Sequence, residues 1–289
     1  VRTLRVARVH ATDFRNNTPE TTMSRISRSF LFVPGHRPER FDKAAASGAH
    51  DIILDLEDAV APEDKIAARE AVAAWLNAEG HSAIVRINSV GTPWFEDDLR
   101  MLQAAPSGAV MLPKADERSL AYVVSALAGR RVIALVETVS AYLDLRAVAS
   151  VPGVEQMAFG SVDFSTESGI ADEDHALDAV RTQIVLESVR AGLLPPIDGV
   201  SVNFSDAELI TQDGRRSRQL GFGAKLCIHP AQVAAVNAAF APSAAEIDWA
   251  QRVLAAFETS QGAATAVDGK MIDKPLVDKA RRIVAMTGH

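Results

Sequence analysis

Asp51-Ile52-Ile53-Leu54-Asp55-Leu56-Glu57-Asp58 is an apolar run that ends in acid. Four aliphatic residues in so short a run suit a strand covered on both faces, as in a parallel sheet under helices. Pro62 follows, with Glu63 and Asp64 beside it, and opens a helix expected over residues 62–77. Proline fits a first helical turn because its missing N–H has no partner there, and acids favour the positive end of the helix dipole. Upstream, Ser29-Phe30-Leu31-Phe32-Val33 stops at Pro34-Gly35, and a helix is expected over 39–47. The same alternation continues downstream. Strands are expected at 83–87, 108–112, 132–136 and 156–159, with weaker ones at 200–204 and 224–228. Helices are expected at 94–104, 117–127, 141–149, 177–191, 206–220 and 231–239, where apolar residues recur at three- and four-residue intervals.

Eight such units in about 200 residues match a (β/α)8 TIM barrel. A doubly wound open sheet shares the local pattern. The polar residues favour the barrel: Asp55 to Asp58, Arg86, Lys114, Glu137 and Asp163 each end or follow a different strand. Closure brings such ends into one ring, whereas an open sheet spreads them along a line. Beyond about residue 241 a C-terminal helical appendage is expected, with helices at 246–258 and 277–285 and a turn at Asp268-Gly269-Lys270. One domain over 28–289 is the economical reading. Residues 1–27 are read as a loose extension in which Met23 is a candidate start.

Composition narrows the function. A chain 48% hydrophobic and 23% charged is neither disordered nor fibrous. A net charge of −7 without a dense basic tract argues against a nucleic-acid partner. No apolar run is long enough to span a bilayer. The single cysteine, Cys227, excludes an internal disulfide and a thiolate cluster, which fits a cytoplasmic location. Cys227 reads as core and the nearby His229 as structural.

Chemistry points to the carboxylates. Glu137 leaves the run Ile133-Ala134-Leu135-Val136, and Asp163 follows Met157-Ala158-Phe159-Gly160. Converging acids repel unless a hard cation favours both charges, and Mg2+ binds through one or two carboxylates with retained waters. The competing reading is that each acid caps a helix or pairs with an arginine. Glu57 and Asp58 are candidates to bond metal-held waters, or else to close the loop. Arg86, inside an apolar strand, needs a partner: an anionic substrate carboxylate, or Glu57 or Asp58. Lys114 is expected to pair with acids across the barrel mouth. The turn Val33-Pro34-Gly35-His36-Arg37, with Arg28 and Arg40, suits a phosphate-bearing tail, or is an ordinary solvated turn.

Taken in order, Arg28 to Gly35, Ile53-Leu54-Asp55-Leu56-Glu57-Asp58-Ala59-Val60, Val85-Arg86-Ile87-Asn88, Met111-Leu112-Pro113-Lys114, Leu135-Val136-Glu137-Thr138, Phe159-Gly160 with Asp163, Lys225 to Pro230, and Asp268 to Pro275 resemble the CitE-like, or HpcH/HpaI aldolase-citrate lyase, group of CoA-ester carbon–carbon lyases. The resemblance implies a Mg-dependent lyase that cleaves a malyl-, citramalyl- or citryl-CoA type substrate to acetyl-CoA and a keto acid. It implies Glu137 and Asp163 as metal ligands, Arg86 as the holder of the substrate carboxylate, and Glu57 and Asp58 as partners of metal-held waters. It places Arg28, Pro34, Gly35 and Arg37 at the CoA site. It also implies a homo-oligomer, trimer or hexamer, in which Asp273 reaches a neighbour's active site as a catalytic acid or base. The alternatives are a class II-type aldolase acting on free hydroxy-keto acids and a beta-like subunit of a multi-subunit citrate lyase.

Overall fold

The structure is a computed structural model that describes residues 27–260 and 265–287. The expected extension over 1–27 lies, up to residue 26, outside the described residues. Eight parallel strands close into a barrel in chain order: β1 (Ser29–Pro34), β2 (Asp51–Asp55), β3 (Ile84–Arg86), β4 (Ala109–Leu112), β5 (Val132–Val136), β6 (Val154–Phe159), β7 (Ile197–Asp198) and β8 (Ala224–Cys227). Closure runs through β1 and β8, with Ser29 beside Lys225 and Leu31 beside Cys227. Strand alternation sorts the side chains. Phe30, Ile53, Ile84, Met111, Ile133, Leu135, Ile197 and Leu226 fill the barrel interior. Their neighbours Leu31, Ile52, Leu54, Val85, Val110 and Val132 face the helices.

The surrounding helices are α1 (Phe41–Ala45), α2 (Lys65–Leu76), α3 (Phe95–Ala104), α4 (Glu117–Ala126), α5 (Val139–Leu143), α6 (Leu145–Ser150), α7 (Ser161–Ser168), α8 (Asp178–Ala191), α9 (Ala207–Leu220) and α10 (Val233–Phe240). Three local features differ from the sequence pattern. The helix expected over 141–149 is two helices that break at Asp144. A short helix, α7, carries Asp163 in its first turn. The seventh strand is not 200–204 but Ile197–Asp198. The alternation in Val200-Ser201-Val202-Asn203-Phe204 imitates a strand, yet Val202 and Phe204 face solvent. Ile197 instead fills the barrel, entered through two prolines whose lost N–H groups the sheet does not need. Their carbonyls accept from Gln156 Nε2 at 2.6 Å and from Gly223 N at 3.0 Å.

The appendage holds α11 (Ala244–Thr259), a hairpin of β9 (Thr265–Val267) and β10 (Lys270–Ile272), and α12 (Lys274–Ala285). Asp268 and Gly269 both take positive φ, 52° and 74°, so the expected turn is the two-residue type I′ connection of a β-hairpin. Ala250, Val253, Ile272, Val277, Ala280 and Ile283 form a small core separate from the barrel's. Arg218 to Glu246 (2.8 Å) and Arg28 Nη2 to the Met286 carbonyl (2.8 Å) tie it to the barrel. Among the described residues no helix is long and apolar enough to cross a membrane.

Candidate active site

The acidic end of β2 is locked from three sides. Asp55 pairs in register with Arg86 of β3. Side chains of paired residues on adjacent strands share a face, so carboxylate and guanidinium meet. Arg86 Nε and Nη2 donate to the two Asp55 oxygens at 2.7 and 2.6 Å. The same oxygens accept the N–H groups of Glu57 and Ala59 at 2.9 and 3.2 Å. Lys65, buried at the start of α2, donates to the carbonyls of Leu56 and Glu57 at 2.7 and 2.6 Å. Burial opposes the charge on Arg86, but Asp55, Glu57 and Glu137 together outweigh it and hold the proton more firmly than usual. The guanidinium also lies over the Phe32 ring at 4.8 Å.

Arg86 thus has a bidentate partner that neither sequence reading named, Asp55. Its remaining nitrogen, Nη1, stands 3.2 Å from Glu57 Oε2 and 3.8 Å from Asp58 Oδ2. Asp58 itself is exposed, while Glu57 is buried. Arg86→Ala would strand Asp55 as a buried charge and leave Glu57 with Lys114 alone. It is expected to cost about 3–5 kcal/mol, read as a lower urea midpoint at unchanged slope. A loss below 1 kcal/mol would show that water replaces the guanidinium.

Across the mouth, Lys114 Nζ meets Glu57 Oε1 at 2.7 Å and comes within 4.0 Å of Glu137 Oε1. Lys114 takes a left-handed backbone, φ 48°, which a side chain rarely adopts. That turn aims its backbone N–H at Glu137 Oε1, 2.8 Å away. Glu137 follows β5 and is buried, and among the described residues its Oε2 has no hydrogen-bond partner; Glu57 Oε2 has only the ion pair with Arg86. Burial, and then the negative charge of Glu57, push the Glu137 carboxyl up to about 8. Burial likewise raises Glu57, against the pull of Arg86 and Lys114. Asp163 projects from the first turn of α7, exposed and without an ion pair among the described residues.

Two buried carboxylates held close enough to penalise each other's charge, one of them Glu137 with a bare Oε2, suit a hard cation. A positive ion there would let Glu137 ionise and would give its Oε2 a partner. Among the described residues no three or more His, Cys, Asp or Glu are grouped to hold a metal. The candidate set is therefore the sparse kind, in which waters fill the remaining positions.

The other expected residues divide. Pro34 and Gly35 stand at the mouth end of β1. Gly35 N donates to the Asp55 carbonyl at 2.7 Å, and a Cβ there would fall 2.7 Å from that same oxygen. The glycine therefore serves strand approach. Arg37 is half-buried and its Nε donates to Glu39 Oε1 at 2.7 Å. Arg28 is a correction: it precedes β1, at the opposite end of that strand from Pro34, and its guanidinium binds the end of α12. An arginine there is the length of a strand from the mouth. Asp273 caps α12, accepting from Leu276 N at 3.3 Å, and forms no hydrogen bond or ion pair with Arg86, Glu137 or Asp163. Lys65 escaped the sequence reading because a lysine in a helix's first turn looks like any solvated helix charge.

A cavity of about 930 Å3 lies beside the strand ring, lined by Val162, Arg181, Asp198, Ser201, Arg216 and Lys225 among others. Asp55, Glu57, Arg86, Lys114 and Glu137 do not line it. In it Asp198 is already matched, by Arg181 at 2.9 Å and Lys225 at 3.3 Å. The bare Oε2 of Glu137 is at the mouth, and the chemistry is assigned there.

Fold and site together define a barrel enzyme with its polar groups gathered at the C-terminal ends of the strands. The chain belongs to the HpcH/HpaI aldolase/citrate lyase family, whose model matches residues 28–230. It is 37% identical over 267 residues to a citrate lyase subunit beta-like protein of Mycobacterium tuberculosis, covering 90% of this chain and 95% of that one. It is 35% identical to a (3S)-malyl-CoA thioesterase of Cereibacter sphaeroides, covering 89% and 93%. Among solved structures, CitE from Mycobacterium tuberculosis in complex with magnesium, acetoacetate and coenzyme A superposes with a TM-score of 0.80 at 36% identity, over 91% of this chain and 99% of that one.

Proposed function

We propose that the protein is a Mg-dependent carbon–carbon lyase that cleaves a 3-hydroxyacyl-CoA of the malyl-, citramalyl- or citryl-CoA type to acetyl-CoA and a keto acid. The observation that carries this reading is the buried, bare Oε2 of Glu137 beside Glu57. The support from comparison is the similar CitE structure with magnesium, acetoacetate and coenzyme A. Glu137 and Asp163 would hold the ion. Bound there, it would supply charge stabilisation to the oxygens of the keto-acid half. Lys114 fixes Glu137 through its backbone N–H and Glu57 through its ammonium, so both acids are oriented before substrate arrives. Arg86, whose Nη1 is not bound by Asp55, would engage the substrate carboxylate. The turn Pro34-Gly35-His36-Arg37 flanks the same mouth and would meet the CoA portion.

Cleavage needs one proton taken from the 3-hydroxyl and one delivered to the new methyl carbon of acetyl-CoA. Asp273 caps a helix on the appendage, on a hairpin that fixes its direction. In a homo-oligomer, trimer or hexamer, it would serve the second proton in a neighbour's barrel.

The decisive assay is a panel of malyl-, citramalyl- and citryl-CoA with Mg2+. At least one should give acetyl-CoA and a keto acid in equal amounts, with free hydroxy acids poorer. Turnover of free hydroxy-keto acids alone would replace this reading with an aldolase. Free CoA appearing without acetyl-CoA would make the protein a hydrolase, the activity named for the Cereibacter relative. Activity only with an added acyl-carrier partner would place it as a citrate lyase subunit.

A further inference from the structure

We propose that Gly160 is a positioning residue for the metal site: the side chain it lacks is what keeps Glu137 Oε2 bare and in place. The inference rests on the metal reading above. Gly160 follows β6, and its N–H donates to the Val136 carbonyl at 2.9 Å, which fastens it one residue from Glu137. A Cβ built on Gly160 would fall 2.4 Å from Glu137 Cβ and 2.8 Å from Oε2. The third nearest atom is also Glu137's, its Cα at 3.5 Å, an ordinary contact. The three atoms nearest that missing side chain, outside its chain neighbours, therefore all belong to one residue.

The backbone does not explain the glycine. Gly160 has φ −88° and ψ 73°, near the inverse γ-turn geometry that L-residues adopt. Space explains it. Glu137 cannot yield by swinging aside, because its Oε1 is held by Lys114 N–H and the clash is with Cβ, close to the backbone. A methyl at position 160 must therefore displace the Glu137 backbone or cover the oxygen that would bind the ion.

The test separates space from metal. Gly160→Ala is titrated with Mg2+ by calorimetry beside wild type and Glu137→Gln. Folded Gly160→Ala should bind Mg2+ about 10–100-fold more weakly, the range for residues that hold a ligand in place. Thermal unfolding without metal supplies a double-mutant cycle. Gly160→Ala should lower the midpoint in the wild-type background and leave it unchanged in Glu137→Gly, where the close atoms are gone. If Gly160→Ala alone does not fold, the Glu137→Gly/Gly160→Ala protein should. Wild-type Mg2+ affinity in folded Gly160→Ala would overturn the proposal. So would an equal loss of midpoint in both backgrounds, or a double variant that also fails to fold. A wild-type protein that takes up no Mg2+ overturns the metal reading itself, and the metal-free cycle tells that failure from one of packing.

Discussion

Glu137→Gln is expected to abolish the response to Mg2+ and to lower turnover at least about a hundredfold, since a metal's charge stabilisation is worth several kcal/mol and each 1.36 kcal/mol is tenfold. The pH dependence makes this specific. Free of metal, the Glu137 carboxyl sits at about 8 against an ordinary 4.5, through burial first and the neighbouring Glu57 second. Between those values the unfolded chain has lost a proton that the folded chain keeps. The contribution of this group to stability is therefore full below the ordinary value and declines as pH rises toward 8. A bound cation reverses the preference, so Mg2+ uptake should release a proton and tighten with rising pH until about 8. Glu137→Gln carries a neutral amide throughout. At pH 8 it should melt no lower than metal-free wild type, and its midpoint should be indifferent to Mg2+. A variant that still gains stability from Mg2+ as wild type does would remove Glu137 from the metal site.

The second large effect is recovery of activity by mixing two dead proteins. Asp273→Ala and Glu137→Ala should each be inactive. Co-expressed heteromers should regain part of the wild-type rate, because some sites combine an intact Glu137 with an intact Asp273 from another chain. The geometry behind this is the appendage. Asp273 is exposed, stands between β10 and α12, and has no bond to its own barrel's mouth. Its neighbour Met271 is 75% exposed, an apolar side chain on the same hairpin that a second copy would cover. Capping α12 is the competing role. Asp273→Asn separates the two, since asparagine caps a helix about as well as aspartate but transfers no proton. Loss of activity with an unchanged melting midpoint supports catalysis. Unchanged activity reduces Asp273 to a cap, and absence of recovery in verified heteromers confines it to its own chain.

The barrel was legible because the face each side chain takes follows from local backbone geometry. Period two along the strands and three to four along the helices can be read without knowing any neighbour. Strand ends marked by Asp55, Arg86, Lys114 and Glu137 were legible for the same reason. Where a second local signal competed, the reading slipped. Val200 to Phe204 alternates like a strand and Pro195-Pro196 reads as loop, yet Ile197 has the side chain that fills the barrel. The hairpin at Asp268-Gly269 was legible only as a turn, although that dipeptide is itself a type I′ signal.

The alternation of strands and helices, the closure it implies and the polar residues at strand ends all follow from local residue order. Which side chains meet follows only from the closed barrel. Arg86 binds Asp55 because β2 and β3 pair in that register, 31 residues apart along the chain. Closure likewise buries Glu137 with a bare oxygen, leaves room for it at Gly160, and puts Arg28 at the far end of its strand. Partnership and burial depend on distances between segments remote in sequence, and those distances exist only once the barrel has closed.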